Sequence, residues 1–207
     1  MNVTLIQATP NPIETIATIA SICYDSDPKY PIRLVEHLYK NGHLSVMEHI
    51  YFTFKIEGIS RACSHQLVRH RLCSFTQRSQ RYCSEDDFEI ITPPSISRSE
   101  DGGKEYLGAI GHADRTYGML QELNIKNEDA RYLLPNACAT EMYLSCNLRE
   151  LIHIANERLC TRAQWEIREL VQQMVSLVDP ELRFMLVPKC KSDRIICHAP
   201  CGCRNEG

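Results

Sequence analysis

Apolar residues recur along this chain at two spacings, every second position and every third or fourth, and the changes between them mark the elements. The clearest alternation covers residues 49–57. Ile50, Phe52, Phe54 and Ile56 share one face and Tyr51, Thr53, Lys55 and Glu57 the other, which predicts a strand with one buried side, ended by Gly58. Residues 3–8 and 137–146 alternate similarly, the latter with Cys138, Thr140, Met142 and Leu144 together, and residues 88–92 form a shorter candidate strand before Pro93-Pro94. Helical spacing begins at Pro12, with Ile13, Ile16, Ile19 (or Ala20) and Cys23 on one face. After a loop at residues 25–28 it returns over 31–41, with Leu34, Val35 and Leu38 inward and Gly42 as C-cap. Residues 59–69 read as a helix that turns Ile59, Ala62, Cys63 and Leu67 to the core. Further helices are predicted over 105–123, 127–132, 147–159 and 162–178. Asn147 is the N-cap of the third of these, with Glu150 three residues on, and Pro180 stops the last.

Strands scattered among helices predict an α+β fold, a small mostly antiparallel sheet packed with helices. No G-x-G-x-x-G follows a strand, so a Rossmann-type dinucleotide site is not supported. The 207 residues suit one domain over 1–188 with a cysteine-rich tail over 189–207.

A net charge of −3 argues against a general nucleic-acid binder and makes any basic stretch a local feature. Residues 1–10 have no basic start with a long apolar run, and no stretch reaches the length of a membrane span. Eleven cysteines in such a chain read as reduced thiols in a cytoplasm.

The chemistry concentrates in residues 66–82, QLVRHRLCSFTQRSQRY, which carry four arginines, a histidine, three glutamines and no acid. Forked guanidinium groups match phosphate oxygens, and the hydroxyls and amides between them suit a nucleotide. A solvated basic loop is the plain alternative. Residues 42–49, GHLSVMEH, hold two histidines and a glutamate, but their spacing fits no helical metal site and suits hydrogen bonds at a turn. Arg131 stands alone before Leu133-Leu134-Pro135 and reads equally as a surface residue; Arg149 and His153 share a helix face, with Asn156 beside them. In the tail, Cys190, Cys197, Cys201 and Cys203 are either a zinc site of unusual spacing or ordinary reduced thiols.

Arg69-His70-Arg71 followed by Ser79, then Arg81-Tyr82, resembles the R-H-R-x7-S signature of the flavin-dependent thymidylate synthase family. GHLSVMEH resembles that family's G-H-x-S-x-x-E-H element, and the run from Asn147-Leu148-Arg149 to Arg162-Ala163-Gln164-Trp165-Glu166-Ile167-Arg168 is similar to its C-terminal block. The resemblance implies a methyltransferase that converts dUMP to dTMP with FAD, takes its one-carbon unit from methylenetetrahydrofolate and its electrons from NADPH, and uses no enzyme nucleophile. It also implies a homotetramer with shared active sites, no nucleic-acid partner and no membrane.

By position, the resemblance implies that Ser45, Arg69, His70, Arg71, Gln77, Asn147, Leu148, Arg149 and His153 hold FAD. It assigns the nucleotide to Gln66, Leu67, Val68, Arg69, Gln77, Arg78, Ser79, Gln80, Arg81, Arg131 and Arg158. Arg158 is the catalytic candidate, stabilising negative charge at N3 of the uracil. Two departures affect ligand contacts: Thr76 stands where many relatives carry Asn, and Arg162 where others carry His. Two rival readings remain. A non-catalytic nucleotide- or RNA-binding module would use the same basic loop without a flavin, and a silent relative would lack arginines that are all present here.

Overall fold

The structure, a computed structural model, describes residues 1–23 and 29–198. The fold is α+β, as the sequence predicts, with a four-stranded antiparallel sheet ordered β1-β2-β4-β3. The strands are β1 (Asn2–Ala8), β2 (Tyr51–Ser60), β3 (Ser74–Gln77) and β4 (Ala139–Asn147). The helices are α1 (Pro12–Ser21), α2 (Pro31–Lys40), α3 (Arg61–Leu67), α4 (Pro94–Ser97), α5 (Glu100–Glu122), α6 (Asn127–Ala130), α7 (Leu148–Arg158) and α8 (Trp165–Leu177). The predicted loop at residues 25–28, and Cys201 and Cys203, lie outside the described residues.

The chain divides into two compact units interleaved in sequence. The larger holds residues 3–56, 67–75 and 143 onward. Its core sets Ile50, Phe52, Phe54 and Ile56 of the β2 region with Leu148, Leu151, Ile152 and Ile154 of α7 and Ile167, Leu170, Val171 and Met174 of α8 among the buried residues. Each such side chain contributes roughly 1.5–3 kcal/mol through removal from water. The smaller unit holds residues 1–2, 57–66 and 76–142. There Tyr117 is fully buried, and its hydroxyl accepts from the Glu85 amide at 3.2 Å, fixing α5.

Several boundaries differ from expectation for physical reasons. Gly58 does not end β2 but sits inside it at φ +65°. Ile50 bonds to Leu148 and Arg61 to Cys138, so eleven steps on β2 face ten on β4; β2 carries one extra residue, a bulge that Gly58 permits. Ile59 therefore belongs to the strand, and α3 starts at Arg61. The basic stretch is not all loop, because Ser74–Gln77 joins the sheet as β3. Residues 88–92 form no strand, only a single bridge between Ile90 and Cys138. Helix α5 begins five residues early because the Ser99 hydroxyl accepts from the Gly102 amide at 3.1 Å and caps it. Ala20 rather than Ile19 completes the buried face of α1, and Cys23 is exposed.

Candidate active site

Helix α7 supplies the most concentrated chemistry. Asn147 caps it, accepting from the Glu150 amide at 2.9 Å. The Glu150 carboxylate does not turn back to the cap; it is buried and meets His70 Nδ1 at 3.4 Å. At the far end of the helix, Arg158 Nε donates to His70 Nε2 at 3.0 Å. The His153 ring stands edge-on to His70, with centroids 5.5 Å apart.

These contacts fix the protonation state of His70. A guanidinium can only donate, so Nε2 must carry the lone pair, and a neutral imidazole then holds its proton on Nδ1, pointing at Glu150. Burial first, then the Arg158 and His153 charges, push the His70 pKa down to about 4, so the ring is neutral near pH 7. Burial raises the Glu150 pKa, opposed by His153. Both shifts disfavour charge, so we read the contact as a hydrogen bond from a neutral imidazole rather than as an ion pair. His70, Glu150 and His153 bring donor atoms within 4.8 Å of one another, which suits a metal in principle. With the proton on Nδ1 and Arg158 on Nε2, however, His70 has no free ligand atom.

Beside this cluster lies a cavity of about 420 Å³, lined in part by Leu44, Leu72, Ile152, Arg149, His153 and Arg194. Apolar walls with cationic corners suit a flat heterocycle bearing phosphate, and the volume falls within the range of small-molecule sites. Ser45 is exposed on a 3-10 turn, Ser45–His49, and Arg149 Nη1 forms an ion pair with Glu48 of the same turn. The GHLSVMEH stretch is thus a turn tied to α7. Leu148 is fully buried, whereas Val68, Arg69 and Arg71 are exposed after α3.

In the smaller unit, Gln77 on β3 donates to Ser64 at 3.0 Å and to Thr140 at 3.3 Å. Arg81 Nη2 meets the Glu128 carboxylate at 3.1 Å, and Arg131 Nε donates to the Glu128 carbonyl at 3.1 Å, so two nucleotide candidates far apart in sequence converge on one residue. The Ser79 hydroxyl accepts from the Arg81 amide at 3.2 Å and holds the turn between them. Gln80 lies against Cys138, and Gln66 is half-buried on α3. Arg78 is engaged otherwise: Glu85 takes its Nε at 3.2 Å and raises its pKa, with Glu141 at 3.9 Å. A cleft of about 400 Å³ beside it is lined by Glu57, Glu85, Asp86, Asp87 and Glu141, a poor match for an anionic nucleotide.

Residues 4–182 match the family model described as thymidylate synthase complementing protein. The chain is 42% identical to the flavin-dependent thymidylate synthase of Geobacter sulfurreducens over 86% of its length and 82% of the relative's. It is 37% identical to that of Clostridium tetani over the same shares. The chain belongs to the flavin-dependent thymidylate synthase family. Its fold is similar to the crystal structure of thymidylate synthase X from Helicobacter pylori with FAD and dUMP, at a TM-score of 0.74 and 24% identity, covering 90% of this chain and 97% of that one.

As a flavin-dependent thymidylate synthase family member, the chain is an enzyme whose arginine-rich loop and α7 stand out on sequence alone. Glu150 and Glu48 did not: each sits within a recognised block, but nothing local shows that Glu150 turns inward to His70 or that Glu48 pairs with Arg149. The described part of the tail, residues 189–198, belongs to the larger unit. The Tyr39 hydroxyl lies 3.3 Å from that of Ser192, and Arg194 stacks on the Tyr39 ring at 5.5 Å. Neither Cys190 nor Cys197 is in a disulfide among the described residues. No helix among the described residues is long and apolar enough to cross a membrane.

Proposed function

We propose that this chain methylates dUMP to dTMP, with FAD bound, methylenetetrahydrofolate as one-carbon donor and NADPH as reductant. The observation that carries the reading is the Arg158–His70–Glu150 network beside the cavity, which aims a fixed guanidinium from a rigid helix. FAD supplies the hydride chemistry when bound. Arg149, His153 and Ser45, with Asn147 and Leu148 at the start of α7, would hold it, joined by Arg69, His70, Arg71 and Gln77.

Arg158 stabilises the negative charge that develops at N3 of the uracil; a preset cation does so without reorganising. Neutral His70 takes no proton near pH 7 and serves to orient that cation. Arg81 and Arg131, converging at Glu128, suit the nucleotide phosphate, which would displace the carboxylate from Arg81. Ser79 binds rather than attacks, its hydroxyl being engaged by the Arg81 amide.

We further infer a cytoplasmic homotetramer in which residues 1–188 form the synthase domain. Leu107, Met119 and Leu123 lie 58–69% exposed on and just after α5, which supports subunit contact there. The deciding experiment is anaerobic spectroscopy of the purified protein. Flavin bands should bleach with NADPH and dUMP, then return on addition of methylenetetrahydrofolate as dTMP forms. A colourless protein that takes up no FAD defeats the reading and leaves a simple nucleotide binder.

A further inference from the structure

Two thiols lie just outside the residues assigned above. Cys73 follows His70 by three positions, and its amide donates to the His70 carbonyl at 3.1 Å. Cys146 is the buried residue immediately before Asn147, the cap of α7. Strand pairing sets them opposite each other. The Arg78 amide donates to the Glu141 carbonyl at 3.0 Å, which fixes the β3–β4 register. Five residues back from Arg78 and five forward from Glu141 stand Cys73 and Cys146. An odd number of steps from a hydrogen-bonded pair gives a non-hydrogen-bonded pair, where side chains on the same face approach most closely.

The side chains agree with the register. Cys146 shares the buried face of β4 with Met142 and Leu144, and Cys73 is half-buried. The Cys73 side chain, then burial, raises the Cys146 thiol far above the ordinary range, which agrees with that close approach. Cys73 is the more accessible of the two thiols. The spacing of a non-hydrogen-bonded pair, with Cα atoms about 4.5 Å apart, lies at the short end of what a disulfide spans.

We propose that Cys73 and Cys146 form a reversible disulfide-forming site that takes a low-molecular-weight disulfide as oxidant and clamps the His70 loop to the start of α7. Cys73, as thiolate, attacks one sulfur of the oxidant and releases the first small thiol, leaving a mixed disulfide on Cys73. Cys146 then gives up its proton and attacks the Cys73 sulfur; the Cys73–Cys146 bond forms, the mixed bond breaks, and the second small thiol leaves with that proton. Two protein thiols are oxidised and one small disulfide is reduced to two thiols, so atoms and electrons balance.

The consequence for the proposed synthase activity rests on the reading above. His70 accepts from Arg158, so a shift of the loop by a fraction of an ångström moves the guanidinium's support. A misplacement near 1 Å costs on the order of a hundredfold in rate, so oxidation is expected to lower turnover about tenfold or more.

The test exposes the purified full-length protein to oxidised glutathione and maps its peptides without reduction. The expected product links peptide 72–78 to peptide 132–149, with fragmentation placing the bond on Cys146 rather than Cys138. dTMP formation falls in parallel, dithiothreitol restores it, and Cys73→Ser keeps its activity in the same oxidant. Glutathione on exposed Cys23 with no Cys73–Cys146 link overturns the proposal. So does a link that leaves turnover unchanged, or equal inactivation of Cys73→Ser. A protein that makes no dTMP even when reduced defeats the enzymatic reading instead, and the peptide map still decides whether the bond forms.

Discussion

Arg158 and His70 are 88 residues apart in sequence, yet Nε of one donates to Nε2 of the other at 3.0 Å, and that single bond sets the tautomer of the imidazole and the direction of the guanidinium. Helix α7 thus carries both the cation and, through Glu150, the group that holds its support. The first prediction concerns the cation. Arg158→Lys keeps the charge but loses the planar fork, and both this change and Arg158→Ala should lower kcat by about 10²–10³-fold. Flavin content should stay near wild type. Steady-state kinetics with a flavin spectrum checks it, and near-normal turnover of the Ala variant would remove Arg158 from its role.

His70 should titrate near pH 4 by NMR instead of near 6.5, and removing Arg158 should raise that value because one cause of the depression is gone. The sign for stability follows. Between pH 6.5 and 4 the unfolded chain binds a proton that the folded chain refuses, so stability falls as pH drops through that window, by up to about 3 kcal/mol. Glu150, with its raised pKa, works in the opposite sense and offsets part of this. Denaturant melts at pH 7 and pH 5 measure the net effect; a protein more stable at pH 5 contradicts the His70 assignment.

Glu150→Ala leaves the Nδ1 proton of His70 buried without its acceptor, which should cost about 1–3 kcal/mol. Glu150→Gln can still accept through its amide oxygen and should recover most of that loss. Equal melting temperatures for the two variants would show that the hydrogen bond is not what stabilises the site.

Arg131→Ala should raise KM for dUMP more than it lowers kcat, since the residue is assigned to phosphate binding and not to the ring. Glu128→Gln should lower that KM by relieving competition for Arg81. Initial-rate measurements over a range of dUMP separate the two parameters.

Gly58→Ala forces a Cβ into the left-handed region, 3.1 Å from the Met1 nitrogen. A loss of about 1–2 kcal/mol is expected from the backbone alone. Equilibrium unfolding in urea reads it directly, and an unchanged midpoint would mean that the bulge tolerates a side chain.

By itself the sequence determined the α+β class, the buried face of β2, the Asn147 cap and the blocks that resemble the family. Each depends on spacing within one segment, and a strand or helix declares its buried face through its own periodicity. It misjudged Gly58 because a positive-φ glycine can end a strand or bulge it, and only the register against β4 distinguishes the two. Ser74–Gln77 looked like loop because four half-polar residues carry too little periodicity to announce an edge strand. Arg81 and Arg131 were each marked as ligand groups, but their meeting at Glu128 needed α6 folded against the loop. The protonation of His70, the inward turn of Glu150 and the pairing of Cys73 with Cys146 were decided only by tertiary structure. Burial, partner geometry and cross-strand register arise between segments, and no single segment encodes them.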